Sequence, residues 1–279
     1  MFNRILVPVD GSDTAASAAA YALRLAESFD SDVIGLYVVD VRLIEGPLLQ
    51  TIGSMWGDLP MPTRQGDLIE ALEKRGREVL DDFEQRARDG RRTFESVLEI
   101  GVVPDVIADR ARPVDLVVIG RRGEHAAFGE HPLGSTVHSV VRRSPKPVLV
   151  CPRGEVPLRR PLVAYDGSEH AARALELGVE YAERRRCPLQ VVSVQGRREE
   201  ADRLLEEARD FARGHDLEAV PHARESDKVV EMVLEVAREN GSDLLVMGAY
   251  GKGRLREFLL GSTTESILAQ AGHPVLLYR

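Results

Sequence analysis

Asp243-Leu244-Leu245-Val246-Met247-Gly248-Ala249-Tyr250-Gly251, followed after the nine residues Lys252 to Leu260 by Gly261-Ser262-Thr263-Thr264-Glu265, decides the fold. The residues before Gly248 form a short apolar run, the pattern of a parallel strand covered on both faces. Ser262 to Glu265 reads as a capping box that opens a helix. Strand, glycine loop and helix N-terminus together bring backbone N–H groups and the helix dipole to one point, which makes a phosphate cradle. Glycine suits such a loop because no Cβ keeps an anion away from the backbone, and because cradles often require positive φ.

Working outward, the chain proves to be written twice. Ile5-Leu6-Val7-Pro8-Val9-Asp10-Gly11-Ser12 recurs as Pro161-Leu162-Val163-Ala164-Tyr165-Asp166-Gly167-Ser168. Asp115-Leu116-Val117-Val118-Ile119-Gly120 recurs as Asp243 to Gly248, Gly134-Ser135-Thr136 as Gly261-Ser262-Thr263, and Lys146-Pro147-Val148-Leu149-Val150 as His273-Pro274-Val275-Leu276-Leu277. Strand and helix periods alternate within each copy. Ser12 precedes Ala15, Ala18, Ala22, Leu25, Ala26 and Phe29 at helical spacing, and Ser168 precedes Ala171, Ala174, Gly178 and Ala182 likewise. Strands are predicted at Val33–Val39, Thr93–Glu99, Leu189–Val194 and Leu217–Ala223, with helices at Pro104–Arg112 and Asp227–Asn240. Such alternation with short connections predicts an α/β fold of two tandem doubly wound domains, each a five-stranded parallel sheet with helices on both faces.

The first domain is predicted to span 1–152 and the second 160–279, joined by a linker near Pro152–Arg160 that is rich in Pro, Arg and Gly. The first carries an insertion, 41–66, with several Gly and Pro beside Leu48, Ile52, Met55, Trp56 and Met61, followed by a helix from Asp67 to about Arg88. Those apolar residues suit a lid or an interface element. The formal net charge of −8 disfavours nucleic acid or a membrane surface as the main partner. Neither a signal peptide nor an apolar run near the roughly 18 residues of a membrane span is legible, and the two cysteines, Cys151 and Cys187, imply a reducing cytosol without disulfides. A cytoplasmic protein is expected.

In an open parallel sheet, ligands bind outside the carboxyl ends of the strands, where the strand order reverses. Asp10 and Asp166 end the first strand of each half, and Gly120 and Gly248 end the fourth. If those strands are neighbours, each half has one crevice with an Asp on one lip and a glycine loop on the other. The Asp can accept from a ribose hydroxyl or a base amino group while the loop donates to phosphates. A plain structural reading exists for every piece: the Asp residues can close turns, Ser135 and Ser262 can cap helices, and loop cations such as Arg254 can simply be solvated. His125, His131 and His138 lack metal-ligand periodicity. There is no G-x-x-x-x-G-K-[ST], no G-x-G-x-x-G after the first strand and no G-x-S-x-G, and nothing resembles catalytic machinery.

On these residues the chain resembles the universal stress protein family, as a tandem member with two such domains fused head to tail. The most specific element is the family's ATP-binding pattern of Gly, two residues, Gly, nine residues, Gly and Ser/Thr. Gly248, Gly251, Gly261 and Ser262 match it in full; the first half has ten residues between Gly123 and Gly134, so its cradle is either bulged or spoiled. The resemblance implies ATP, with or without Mg, held by Asp166, Val194, Met247, Gly248, Gly251, Arg254, Gly261, Ser262 and Thr263, and in the first half by Asp10, Val38, Ile119, Gly120, Gly123, Gly134, Ser135 and Thr136. It further implies a nucleotide-dependent sensor or regulator of the stress response that acts on protein partners. The two halves are expected to pair through their last strands as an internal pseudo-dimer, with a homodimer open to tandem members. The alternatives are a slow metal-assisted ATPase, and a protein-interaction module with one vestigial site.

Overall fold

The computed structural model describes residues 1–42, 65–87, 93–123, 133–251 and 260–279. The first half runs β1 (Arg4–Pro8), α1 (Asp13–Phe29), β2 (Asp32–Asp40), α2 (Gln65–Ala87), β3 (Phe94–Gly101), α3 (Val103–Arg110), β4 (Leu116–Gly120), α4 (Ser135–Arg143) and β5 (Val148–Cys151). The second repeats it as β6 (Pro161–Ala164), α5 (Glu169–Arg185), β7 (Leu189–Gln195), α6 (Arg198–Arg213), β8 (Ala219–Glu225), α7 (Val229–Glu239), β9 (Leu244–Gly248), α8 (Ser262–Gln270) and β10 (Val275–Tyr278). The predicted strands and helices lie within about two residues of these bounds. The insertion at 41–66, apart from its first and last two residues, lies outside the described residues, as does Arg254.

The ten strands form one sheet, in the order β3-β2-β1-β4-β5-β10-β9-β6-β7-β8. Within each half every pairing is parallel. The halves meet at β5 and β10, which pair antiparallel with Leu149 opposite Leu276. The two five-stranded sheets are thus a single sheet whose strand direction inverts at its centre. Because β1 lies between β2 and β4, and β6 between β7 and β9, each half has its switch point where the repeated Asp and glycine require it.

The central strands β4 and β9 are buried along their whole length, which accounts for their unbroken apolar composition. One apolar core lies under α1, α2, α5 and α6 and runs through both halves; the other lies under α3, α4, α7 and α8. α1 and α5 approach closely through their alanines and Gly178, where a Cβ would come within 2.5 Å of Val163. The same device seats α2: a Cβ on Gly35 would meet the ring of Phe83 at 2.8 Å, and one on Gly76 the ring of Tyr37 at 2.5 Å. Cys151 and Cys187 are both free and buried.

The linker is held from both sides. Tyr21 of α1 accepts from the backbone N–H of Val156 at 2.9 Å, and Tyr181 of α5 donates to the carbonyl of Leu158 at 2.9 Å. Leu158 is fully buried and has a left-handed backbone (φ 56°).

Candidate functional site

Each half has a cavity at the carboxyl ends of its strands. The first, of about 330 Å³, is lined by Asp10, Val38, Ile119, Gly120, Gly123, Gly134, Ser135 and Thr136, with Leu72 and Arg75 of α2 added. The second, of about 550 Å³, is lined by Asp166, Val194, Met247, Gly248, Gly251, Gly261, Ser262 and Thr263. All the candidate residues among the described ones therefore converge on two matched places.

The Asp on one lip has a double task. Asp10 accepts the backbone N–H of Ser12 on Oδ1 at 2.9 Å, and Asp166 accepts that of Ser168 at 2.9 Å, so the plain turn reading holds for that oxygen. The other oxygen faces the loop across the cavity. A Cβ on Gly123 would come within 2.8 Å of Asp10 Oδ2, and one on Gly251 within 2.9 Å of Asp166 Oδ2. A side chain on the second glycine of each motif would therefore push the carboxylate opposite it aside.

The first glycine of each motif answers to the fold. A Cβ on Gly120 would lie 2.6–2.7 Å from the backbone of Thr14 and Ala15, and one on Gly248 2.8–3.0 Å from His170 and Ala171. These glycines let the end of the strand touch the first turn of α1 or α5. Among the described residues, none of the motif glycines has a positive φ. The described positive-φ glycines are Gly11, Gly154, Gly167 and Gly241, and two of these, Gly11 and Gly167, directly follow the paired Asp residues.

The helix termini divide the work. α1 and α5 are capped by their own serines: Ser12 Oγ accepts from Ala15 and Ser168 Oγ from Ala171, each at 3.2 Å. α4 and α8 have Gly134 and Gly261 as N-caps and carry no side-chain cap. The predicted capping box is thus corrected. Ser262 is the first helical residue, and Glu265 donates its backbone N–H to the Gly261 carbonyl at 2.9 Å. The first-turn donors of α4 and α8 are left to the cavity, where a helix N-terminus favours an anion.

The extra residue in the first loop falls within 124–132, outside the described residues. The loop ends nevertheless match: a Cβ on Gly134 would sit 3.4 Å from the Arg121 carbonyl oxygen, and one on Gly261 3.5 Å from that of Ala249. Gly134 also donates to Arg121 at 3.2 Å.

Several contacts around the cavities left no trace in the sequence pattern. In the first half the Thr14 hydroxyl donates to the Arg122 carbonyl, with Ser12 Oγ 3.4 Å from the same oxygen, and Arg122 returns its N–H to Thr14 at 3.3 Å. In the second half the equivalent positions are His170 and Tyr250, whose rings lie 5.3 Å apart at 54°, and Thr264 donates to the Ala249 carbonyl at 3.0 Å. The first cavity also has Asp40 and Arg42 on its rim, Arg42 Nε lying 2.9 and 3.0 Å from the two carboxylate oxygens. That hydrogen bond raises the Arg42 pKa above its ordinary value.

Arg121 reaches across the molecule. One guanidinium nitrogen lies 2.7 Å from the carbonyl of Ala271 and 3.4 Å from those of Leu268 and Ala269, at the C-terminal end of α8. Among the described residues no group of three or more His, Cys, Asp or Glu could hold a metal, and no helix is long and apolar enough to cross a membrane.

Comparison with known proteins bears on the family and the fold. The model of the Universal stress protein family matches residues 1–152 and again 157–279. The chain is similar to Universal stress protein Slr1230 of Synechocystis, 28% identical over 300 residues that cover 99% of this chain and all of that one. Universal stress protein MJ0531 of Methanocaldococcus jannaschii is 31% identical over 153 residues, covering 54% of this chain and 82% of its own. Among solved structures, a universal stress protein from Archaeoglobus fulgidus superposes with a TM-score of 0.79 over 99% of this chain and 96% of that one, at 21% identity, a likeness of fold.

Proposed function

The chain belongs to the universal stress protein family, and from that premise we propose that it is a cytoplasmic ATP-binding member in which nucleotide occupancy is signalled to protein partners without efficient turnover. One observation carries the reading. In both halves a carboxylate and an uncapped helix N-terminus line one cavity, with a glycine against the carboxylate where a side chain would displace it. The carboxylate suits ribose or base donors and the helix end suits phosphate. Val38 and Ile119, or Val194 and Met247, supply apolar walls for the base. Ser135, Thr136, Ser262 and Thr263 bring hydroxyls to the phosphate end.

The nucleotide supplies the charge and the aromatic base; the protein binds, orients and encloses it. The two domains, 1–152 and 160–279, then act as an internal pseudo-dimer with one nucleotide site each.

Isothermal titration of ATP into the purified protein tests the reading, with Gly251→Val and Gly123→Val as the cavity-filling variants. Heat from two sites is expected, with one site lost in each variant. An unliganded protein that gives no heat with ATP overturns it. Phosphate release above buffer background and abolished by Asp166→Ala would replace holding with hydrolysis.

A further inference from the structure

Because β5 and β10 run antiparallel, the carboxyl ends of the strands in one half point the opposite way from those in the other, so the two cavities open at opposite ends of the strands. A helix that begins at one cavity therefore runs towards the end of the sheet at which the other cavity opens. α8 does so: its N-terminus opens the second cavity, and its C-terminus, about 14 Å away at 1.5 Å per residue, reaches the loop of the first. There it meets Arg121, which stands between Gly120 and Arg122, two residues that line the first cavity.

The contact is one-sided. α8 has no basic residue in its last turn, whereas α4, its counterpart, ends in its own Arg142 and Arg143. The position equivalent to Arg121 in the second half is Ala249, which has no side chain to reach α4. One helix thus supplies its own C-terminal cations, and the other takes its cation from the rim of the opposite cavity.

We propose that the two cavities are energetically coupled and that Arg121 is the positioning residue that couples them: a ligand in the first cavity raises the affinity of the second through α8. This rests on the reading that both cavities take adenine nucleotide. The sign follows from the charges. The Arg121 guanidinium is partly buried and carries the Arg122 cation beside it, and both burial and that neighbour lower its pKa. An anion seated against Arg122 and Gly123 offsets the repulsion, so Arg121 holds the α8 carbonyls more firmly. A helix fixed at its C-terminus presents its N-terminal donors to the second cavity in one orientation, which lowers the ordering cost of binding there. Coupling is reciprocal, so the second ligand strengthens the first by the same factor.

The test is ATP titration of the full-length chain by calorimetry in a two-by-two design. Gly123→Val closes the first cavity, and the second-site Kd is compared with Gly123 intact or replaced, first with Arg121 present and then in Arg121→Ala. With Arg121 present, closing the first cavity should weaken the second site by about 5-fold or more, within the range of allosteric couplings. In Arg121→Ala that ratio should fall to one. Arg121→Lys, which keeps the charge but not the fork, should give an intermediate ratio, and circular dichroism checks each variant for folding. Gly251→Val should weaken the first site by the same factor as the reciprocal control. A ratio of one with Arg121 present, a ratio unchanged in Arg121→Ala, or heat from one cavity only overturns the coupling and leaves nucleotide binding standing. No heat from any variant removes both.

Discussion

At the scale of single residues, the paired carboxylates explain why two glycines per motif are present for two different reasons. Gly123 and Gly251 face Asp10 and Asp166, and Gly120 and Gly248 face helix backbone. Alanine at the first kind should disturb ligand binding before stability, since a carboxylate can turn. At the second kind it meets backbone, which cannot. Gly120→Ala and Gly248→Ala should therefore each cost about 1–3 kcal/mol in denaturant unfolding, as overpacking does, a loss that Gly251→Ala should not match. Tyr21 provides a pH-dependent counterpart. Burial first of all, offset in part by its hydrogen bond to Val156, raises its pKa from 10.0 to about 12. The unfolded chain then loses that proton first. The resulting stability is complete below pH 10 and declines as pH rises towards 12, by an amount on the order of 2 kcal/mol. Unfolding midpoints at pH 9 and pH 11.5 should show the decline, and Tyr21→Phe should make it shallower.

At the scale of elements, the difference between capped and open helix ends matters most. α1 and α5 hold their own N-cap serines, while α4 and α8 begin at glycine. Gly261→Asp should separate the two properties. Its backbone (φ −57°, ψ 135°) suits any residue, so an Asp cap should stabilise the protein slightly, by roughly a few tenths of a kcal/mol in thermal melts. The same carboxylate would take the donors meant for phosphate and repel it, so ATP heat from the second cavity should disappear. The strands and helices were legible because apolar runs and alanine faces are local signals repeated in two copies. The Asp and glycine pairs were legible because a doubly wound topology brings strand ends together. The capping role of Ser262 was misread, since Ser-x-x-Glu fits a capping box while the preceding glycine, whose conformation no pattern prints, takes the cap. Thr14 with Arg122, His170 with Tyr250, and Arg121 with α8 were invisible because each joins residues far apart in the chain with no repeated partner to flag them.

At the scale of the whole molecule, the junction of β5 with β10 makes one object of two copies. Val148 to Cys151 are all buried, and the core beneath α1 continues under α5 without a break. Chemical denaturation followed at both halves should give one coincident transition; two separated transitions would mean that the shared sheet does not bind the halves into one unit. A chain cut after Val156 should expose the β5 edge as a row of apolar residues with unpaired backbone groups. Such a fragment should migrate as a dimer or larger species in size-exclusion chromatography with light scattering, where the full chain does not need that edge. The inversion of strand direction at this junction also sets what a partner can read. The two mouths open away from each other, so a macromolecule seated over one leaves the other clear to solvent and to exchange. Under the proposed function, two partners would therefore have separate places to dock, one at each end of the strands, each over its own cavity.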